Sequence, residues 1–116
     1  MKKLLELSDD TFEEKTKKGV TLVDFYATWC SPCKKLAPIF EQTAQVYPDV
    51  LFAKAEAQND CVEAVARVSV QSVPTLILYC DGAPVARYSG VTFDTTQKLQ
   101  HWLDSEIRQL KLAGMM

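Results

Sequence analysis

The chain has 116 residues, with thirteen basic and fifteen acidic side chains and a net charge of −2. That length predicts a single domain, residues 1–116, able to bury a core without disulfide staples or a structural metal. The balanced charge, with only the short pairs Lys17-Lys18 and Lys34-Lys35, excludes nucleic acid and anionic membrane as expected partners.

The N-terminal apolar stretch is broken by Glu6 and stops at Ser8, short of the roughly 7–15 apolar residues of a signal peptide. No stretch approaches the roughly 20 apolar residues of a membrane span. The expected location is therefore the cytoplasm. Lys3–Leu7 reads as a strand, and Ser8 or Asp9 as the N-cap of a helix that Gly19 stops. Val20–Ala27 is an almost unbroken β-branched and aromatic run, the pattern of a central strand covered on both faces.

After Thr28-Trp29-Cys30-Ser31-Pro32-Cys33 a helix is predicted to about Tyr47, with Leu36, Ile39, Phe40 and Tyr47 on one face. Pro38 is expected to kink it and Pro48 to close it. Val50–Ala55 reads as a second buried strand, and Asn59 or Asp60 as the cap of a short helix reaching about Val68. Pro74–Cys80 and Pro84–Ser89 form a hairpin about Asp81-Gly82. A last helix runs from Thr92 or Asp94 to Leu112, with Leu99, Trp102, Leu103, Ile107 and Leu110 as its apolar stripe and Gly114 past its end. The order βαβαβαββα predicts an α/β fold, a mixed central sheet with helices on both faces.

Four cysteines occur, at 30, 33, 61 and 80, and only the first two have a telling spacing. Cys30-Ser31-Pro32-Cys33 follows a buried strand and opens a helix. Positions i and i+3 are neighbours on a first turn, with Cα atoms inside the roughly 4.4–6.8 Å a disulfide accepts. A helix N-terminus offers unpaired N–H groups and partial positive charge, which stabilise a thiolate. Cys30, at the very start, gains most; Pro32 suits the first turn. Cys33, one turn deeper, is expected to be more buried and less ionised, as a resolving thiol should be. Cys61 and Cys80 read as free thiols in a reducing compartment.

The ordered set Asp24, Trp29-Cys30-x-Pro32-Cys33-Lys34, Pro38, Lys54, Val73-Pro74-Thr75, Gly82 and Gly90 resembles the thioredoxin family, itself the standing example of a Cys-x-x-Cys thiol of lowered pKa. The likeness runs from about Lys3 to Leu110. It implies the thioredoxin fold, a mixed five-stranded sheet flanked on both faces by four helices. It also implies a protein-disulfide oxidoreductase, with Cys30 as nucleophile and Cys33 as resolving thiol. Asp24 is then the buried proton acceptor for Cys33, and Lys54 its cationic partner. Pro74 corresponds to the family's cis-proline, with Val73 offering backbone groups to an extended substrate. The implied docking surface comprises Trp29, Ser31, Pro32, Ser72, Val73, Pro74 and Gly90. The resemblance further implies a monomer serving protein disulfide substrates, a thioredoxin reductase-type electron donor, and no cofactor beyond the Cys30–Cys33 disulfide.

Several positions depart from the family pattern. Ser31 replaces the usual glycine between the cysteines, and Ser72 stands two before Pro74 where glycine is frequent. Tyr26 stands where many members carry tryptophan, read here as a packing variation. Glu56-Ala57-Gln58-Asn59 lacks the usual acidic pattern. Cys61, at a predicted helix N-terminus, is either an inert thiol or an accessory redox site. Competing functions are an oxidase or isomerase of the same fold, or a cluster- or partner-binding module. No metal site is expected, because there is no second Cys-x-x-Cys and His101 has no partner at ligand spacing.

Overall fold

A computed structural model describes residues 4–89 and 93–116. In chain order the elements are β1 (Leu5–Leu7), α1 (Asp9–Thr16), β2 (Val20–Tyr26), α2 (Ser31–Ala44), β3 (Val50–Glu56), α3 (Val62–Val68), β4 (Thr75–Cys80), β5 (Ala83–Ser89) and α4 (Thr96–Leu112). The sheet order is β1-β3-β2-β4-β5. β1, β3 and β2 run parallel, and β4 and β5 join antiparallel. This is the mixed five-stranded sheet with four helices that the sequence predicts.

β2 occupies the centre because Val20 to Phe25 are buried without interruption. Its even-numbered side chains Val20 and Leu22 pack with Leu36, Phe40, Phe52, Leu76, Leu99 and Leu103, the face covered by α2 and α4. Its odd-numbered Val23 and Phe25 pack with Phe12, Ala53, Ala64, Ile77 and Tyr79, the face covered by α1 and α3. The β4–β5 turn places both Asp81 (φ 50°) and Gly82 (φ 87°) in the left-handed region, the requirement of a type I′ hairpin. Asp81 also ties this turn to the one before β2, accepting from the Gly19 N–H at 2.8 Å.

Element ends differ from expectation for local reasons. Of the first strand, Leu5–Leu7 is in the sheet and Lys3 lies outside the described residues. α2 passes through Pro38 and ends at Ala44, not Tyr47. The N–H groups of Val46 and Tyr47 tighten onto the carbonyls of Thr43 and Ala44, and Tyr47, preceding Pro48, is disfavoured in the helical region. α3 is capped at Cys61 rather than Asn59 or Asp60, because Glu56 takes the N–H groups of those two residues. α4 opens at Thr96 beneath a Thr95 cap, whose hydroxyl accepts from the Lys98 N–H at 3.2 Å. Asp94 instead pairs with the Lys98 ammonium at 2.8 Å.

Candidate active site

The strand-to-helix junction after β2 carries the two cysteines. Cys30 is the N-cap of α2 and Cys33 lies in its first turn, with Pro32 between them where a missing N–H does no harm. The two are joined as a disulfide with Cα atoms 5.2 Å apart. The Cys33 N–H donates to Cys30 Sγ at 3.1 Å. One of the unpaired donors of the helix end is therefore aimed at the sulfur where negative charge would form. The expected contrast in burial is not seen: Cys30 is 3% exposed and Cys33 4%. What separates them is surroundings. Cys30 Sγ lies 3.7 Å from the Val73 carbonyl oxygen, at the rim where the chain turns into β4.

That rim contains most of the residues predicted to dock substrate. The Val73–Pro74 peptide is cis, Val73 packs against the cysteine cluster, and the Thr75 hydroxyl donates to the Ser72 carbonyl at 2.7 Å. Ser31, Pro32 and Ser72 are exposed and Pro74 is buried. Gly90 lies outside the described residues. Trp29 is 64% exposed, so it is a surface side chain and not core packing. Its indole N–H donates to Gln58 Oε1 at 2.9 Å. The loop carrying Gln58 is shaped by Glu56, whose carboxylate accepts from the N–H groups of Gln58, Asn59 and Asp60. Burial would raise the Glu56 pKa, but these backbone donors outweigh it and hold the group below its ordinary value. The departure at Glu56-Ala57-Gln58-Asn59 thus has a structural use: it braces the tryptophan beside the disulfide.

Asp24 lies on the α2 side of β2. It sits opposite Leu76 of β4, which packs with Leu36 and Phe40 of α2. The carboxyl is completely buried, and neither oxygen has a hydrogen-bond partner among the described residues. Burial pushes its pKa from 3.8 up to about 7, with Lys54 opposing and Glu6 adding to the rise. Lys54, the cation that the resemblance places near Asp24, is directly opposite it in the β2–β3 register. Its ammonium lies 4.6 Å from the centroid of the Tyr26 ring. By sequence Tyr26 reads as a packing variation. In fact its hydroxyl donates to Glu6 Oε1 at 2.9 Å, and it packs against the cluster of Ala27, Cys30 and Cys33. The available signal was position: Tyr26, two residues beyond Asp24, points to the same face.

Cys61 is the inert alternative. It is fully buried and its thiol donates to the Leu7 carbonyl at 3.3 Å. Burial, reinforced by Asp9, Asp60, Glu6 and Glu56, pushes its pKa up to about 12. The helix-terminus argument for its reactivity fails because Asp9 already occupies that end, accepting from the N–H groups of Glu63 and Ala64 at 3.1 and 3.2 Å. Cys80 is likewise buried, which raises its pKa. Native reduced protein is expected to alkylate with iodoacetamide at the Cys30–Cys33 pair alone. Cys61 and Cys80 should label only after denaturant is added, which peptide mass spectrometry reads directly. Among the described residues no group of three or more His, Cys, Asp or Glu side chains is placed to hold a metal.

A dithiol set at a helix N-terminus, flanked by an exposed aromatic and open backbone groups, can attack disulfides. Comparison with known proteins agrees. The chain matches the family model described as Thioredoxin over residues 3–105. It is 36% identical to the thioredoxin of Staphylococcus haemolyticus over 104 residues, covering 90% of this chain and 98% of that protein. The thioredoxin of Staphylococcus aureus strain Mu50 matches with the same identity and coverage. A solved structure of Plasmodium falciparum thioredoxin superposes with a TM-score of 0.77 at 24% identity, over 88% of this chain and 98% of that one.

Proposed function

The chain belongs to the thioredoxin family and is a thiol–disulfide oxidoreductase, and from that premise we propose that it is a cytoplasmic reductase of protein disulfides. In this reading residues 1–116 act as one monomeric domain. The observation that carries it is the Cys33 N–H aimed at Cys30 Sγ at the start of α2, which favours the thiolate at Cys30.

The cycle is written in sulfur–sulfur exchanges. The Cys30 thiolate attacks one sulfur of a substrate disulfide, an S–S bond forms between them, and the other substrate sulfur leaves as thiolate. Asp24 takes the proton of Cys33. The Cys33 thiolate then attacks Cys30 Sγ, closes the Cys30–Cys33 disulfide and expels the second substrate sulfur. Two electrons have passed from the dithiol to the substrate, and a thioredoxin reductase-type donor returns them. Lys54 supplies the cation that limits the rise in the Asp24 pKa. The exposed Trp29, Ser31, Pro32 and Ser72, with the backbone of Val73 before Pro74, form the face on which an extended substrate segment pairs. Gly90, which the resemblance adds to the docking residues, lies outside the described residues. No helix among the described residues is long and apolar enough to cross a membrane.

The test is the reduction potential of the Cys30–Cys33 couple, by equilibration in graded dithiothreitol buffers and thiol trapping. A reductase requires a value below the roughly −220 to −260 mV of a cytosolic glutathione pool. A value above that range would assign the chain to the oxidase or isomerase class and make Ser31 and Ser72 the residues responsible.

A further inference from the structure

Three strands bring four polar side chains into one row on the α2 face of the sheet. Asp24 of β2 is opposite Lys54 of β3, and Lys54 is opposite Glu6 of β1. Tyr26 is the next residue of β2 on that face. β1 and β2 are not neighbours, because β3 lies between them. The 2.9 Å bond from the Tyr26 hydroxyl to Glu6 must therefore cross β3, and it crosses where Lys54 stands, with the ring 4.6 Å from the ammonium.

We propose that Tyr26 and Glu6 are positioning residues: the Tyr26–Glu6 bond is a strap that holds Lys54 on the sheet beside Asp24 and so sets the pH at which Asp24 ionises. This deepens the reading of Asp24 as proton acceptor, and its catalytic consequence rests on that reading.

The physical reason is the freedom of lysine. A half-buried lysine on a four-carbon stem samples many rotamers, and its head favours water over an apolar wall. An aromatic face within about 6 Å attracts the ammonium. A ring anchored at its far end stays over the lysine, whereas an unanchored one swings. The phenol keeps its proton, since burial and the Glu6 carboxylate both raise the Tyr26 pKa above its ordinary value. The charged groups bearing on Asp24 are Lys54 from β3 and Glu6 from β1; Glu6, Glu56 and Asp60 act on Tyr26. Lys54 outweighs Glu6 in its effect on Asp24, so loosening both together leaves a net rise. Tyr26 also packs against the cluster of Ala27, Cys30 and Cys33, so the strap reaches the neighbourhood of the redox pair.

The test follows the Asp24 carboxyl by 13C NMR titration of the oxidised protein, in which Cys33 does not titrate and coupling between the two sites is absent. Tyr26→Phe keeps the ring and removes the anchor. It is expected to raise the Asp24 midpoint by roughly half to one pH unit, part of the 1–3 units an adjacent opposite charge is worth. Glu6→Gln keeps an acceptor oxygen and is expected to produce no rise. An unmoved midpoint in Tyr26→Phe, or an equal rise in Glu6→Gln, overturns the strap. The pH profile of mixed-disulfide resolution, recorded on the same variants, separates the two readings. If it shifts with the NMR midpoint, strap and acceptor role both stand. If the midpoint moves while the profile does not, the strap stands and Asp24 is not the acceptor.

Discussion

Cys30→Ser is expected to reduce disulfide turnover to the uncatalysed background, while Cys33→Ser keeps the first exchange and stalls at the second. The difference follows from their places in α2. Cys30, the N-cap, receives the Cys33 N–H on its sulfur and faces the Val73 carbonyl rim. Serine there offers an alkoxide of much higher pKa and has no route to a mixed disulfide. Cys33 lies inside the first turn, bonded to Cys30. Without it, the substrate remains joined to Cys30 until an external thiol arrives. Intact-mass analysis after incubation with an oxidised model protein should show the chain plus one substrate adduct for Cys33→Ser, and the bare chain for Cys30→Ser. Adduct formation on Cys33 in the Cys30→Ser protein would reverse the assignment of nucleophile and resolving thiol.

Asp24→Asn is expected to change the pH dependence of stability by roughly 4 kcal/mol, the 1.36 kcal/mol per pKa unit of one strongly displaced carboxyl. Burial raises this group from 3.8 to about 7, Lys54 offsetting part of the rise and Glu6 adding to it. Between those values the folded chain keeps a proton that the unfolded chain has released. Stability therefore falls as pH climbs from about 4 to about 7 and is level above that. The asparagine side chain does not ionise and removes this slope. Urea unfolding of the two oxidised proteins at pH 4 and pH 8 measures it: the stability of Asp24→Asn relative to the parent should be greater at pH 8 than at pH 4. Parallel behaviour at both pH values would mean that Asp24 ionises alike in the folded and unfolded chains, its burial fully compensated. In the proposed cycle the same substitution removes the acceptor for the Cys33 proton, and should slow the second exchange at neutral pH about a hundredfold, the lower end of general-base contributions. A variant that is more stable at pH 8 and slower in the same step would tie the uncompensated carboxyl to catalysis.

The residue pattern by itself determined the element order, the helix-opening cysteine pair and the burial of Asp24, because these depend on local rules. The unbroken run Val20 to Phe25 demands cover on both faces, Asp81-Gly82 demands a type I′ turn, and a dithiol at i and i+3 on a first turn closes at 5.2 Å between Cα atoms. Even the opposition of Asp24 and Lys54 was readable through family likeness. The tertiary structure decided what depends on strands meeting. Cys61 looked like a helix-terminal thiol, but Asp9 from α1 reaches over and takes that terminus. The segment Glu56-Ala57-Gln58-Asn59 reads only as a departure from the usual acidic pattern, but there Glu56 accepts from the Gln58 N–H and Gln58 accepts from Trp29. Tyr26 looked like packing until β1 and β3 were in register, which puts Glu6 within reach of a hydroxyl on a strand it does not touch. Sequence spacing encodes neighbours within a helix turn or along a strand face. Which side chain lies beside which across three strands is encoded only in their order and register, and the pH at which Asp24 ionises is set there.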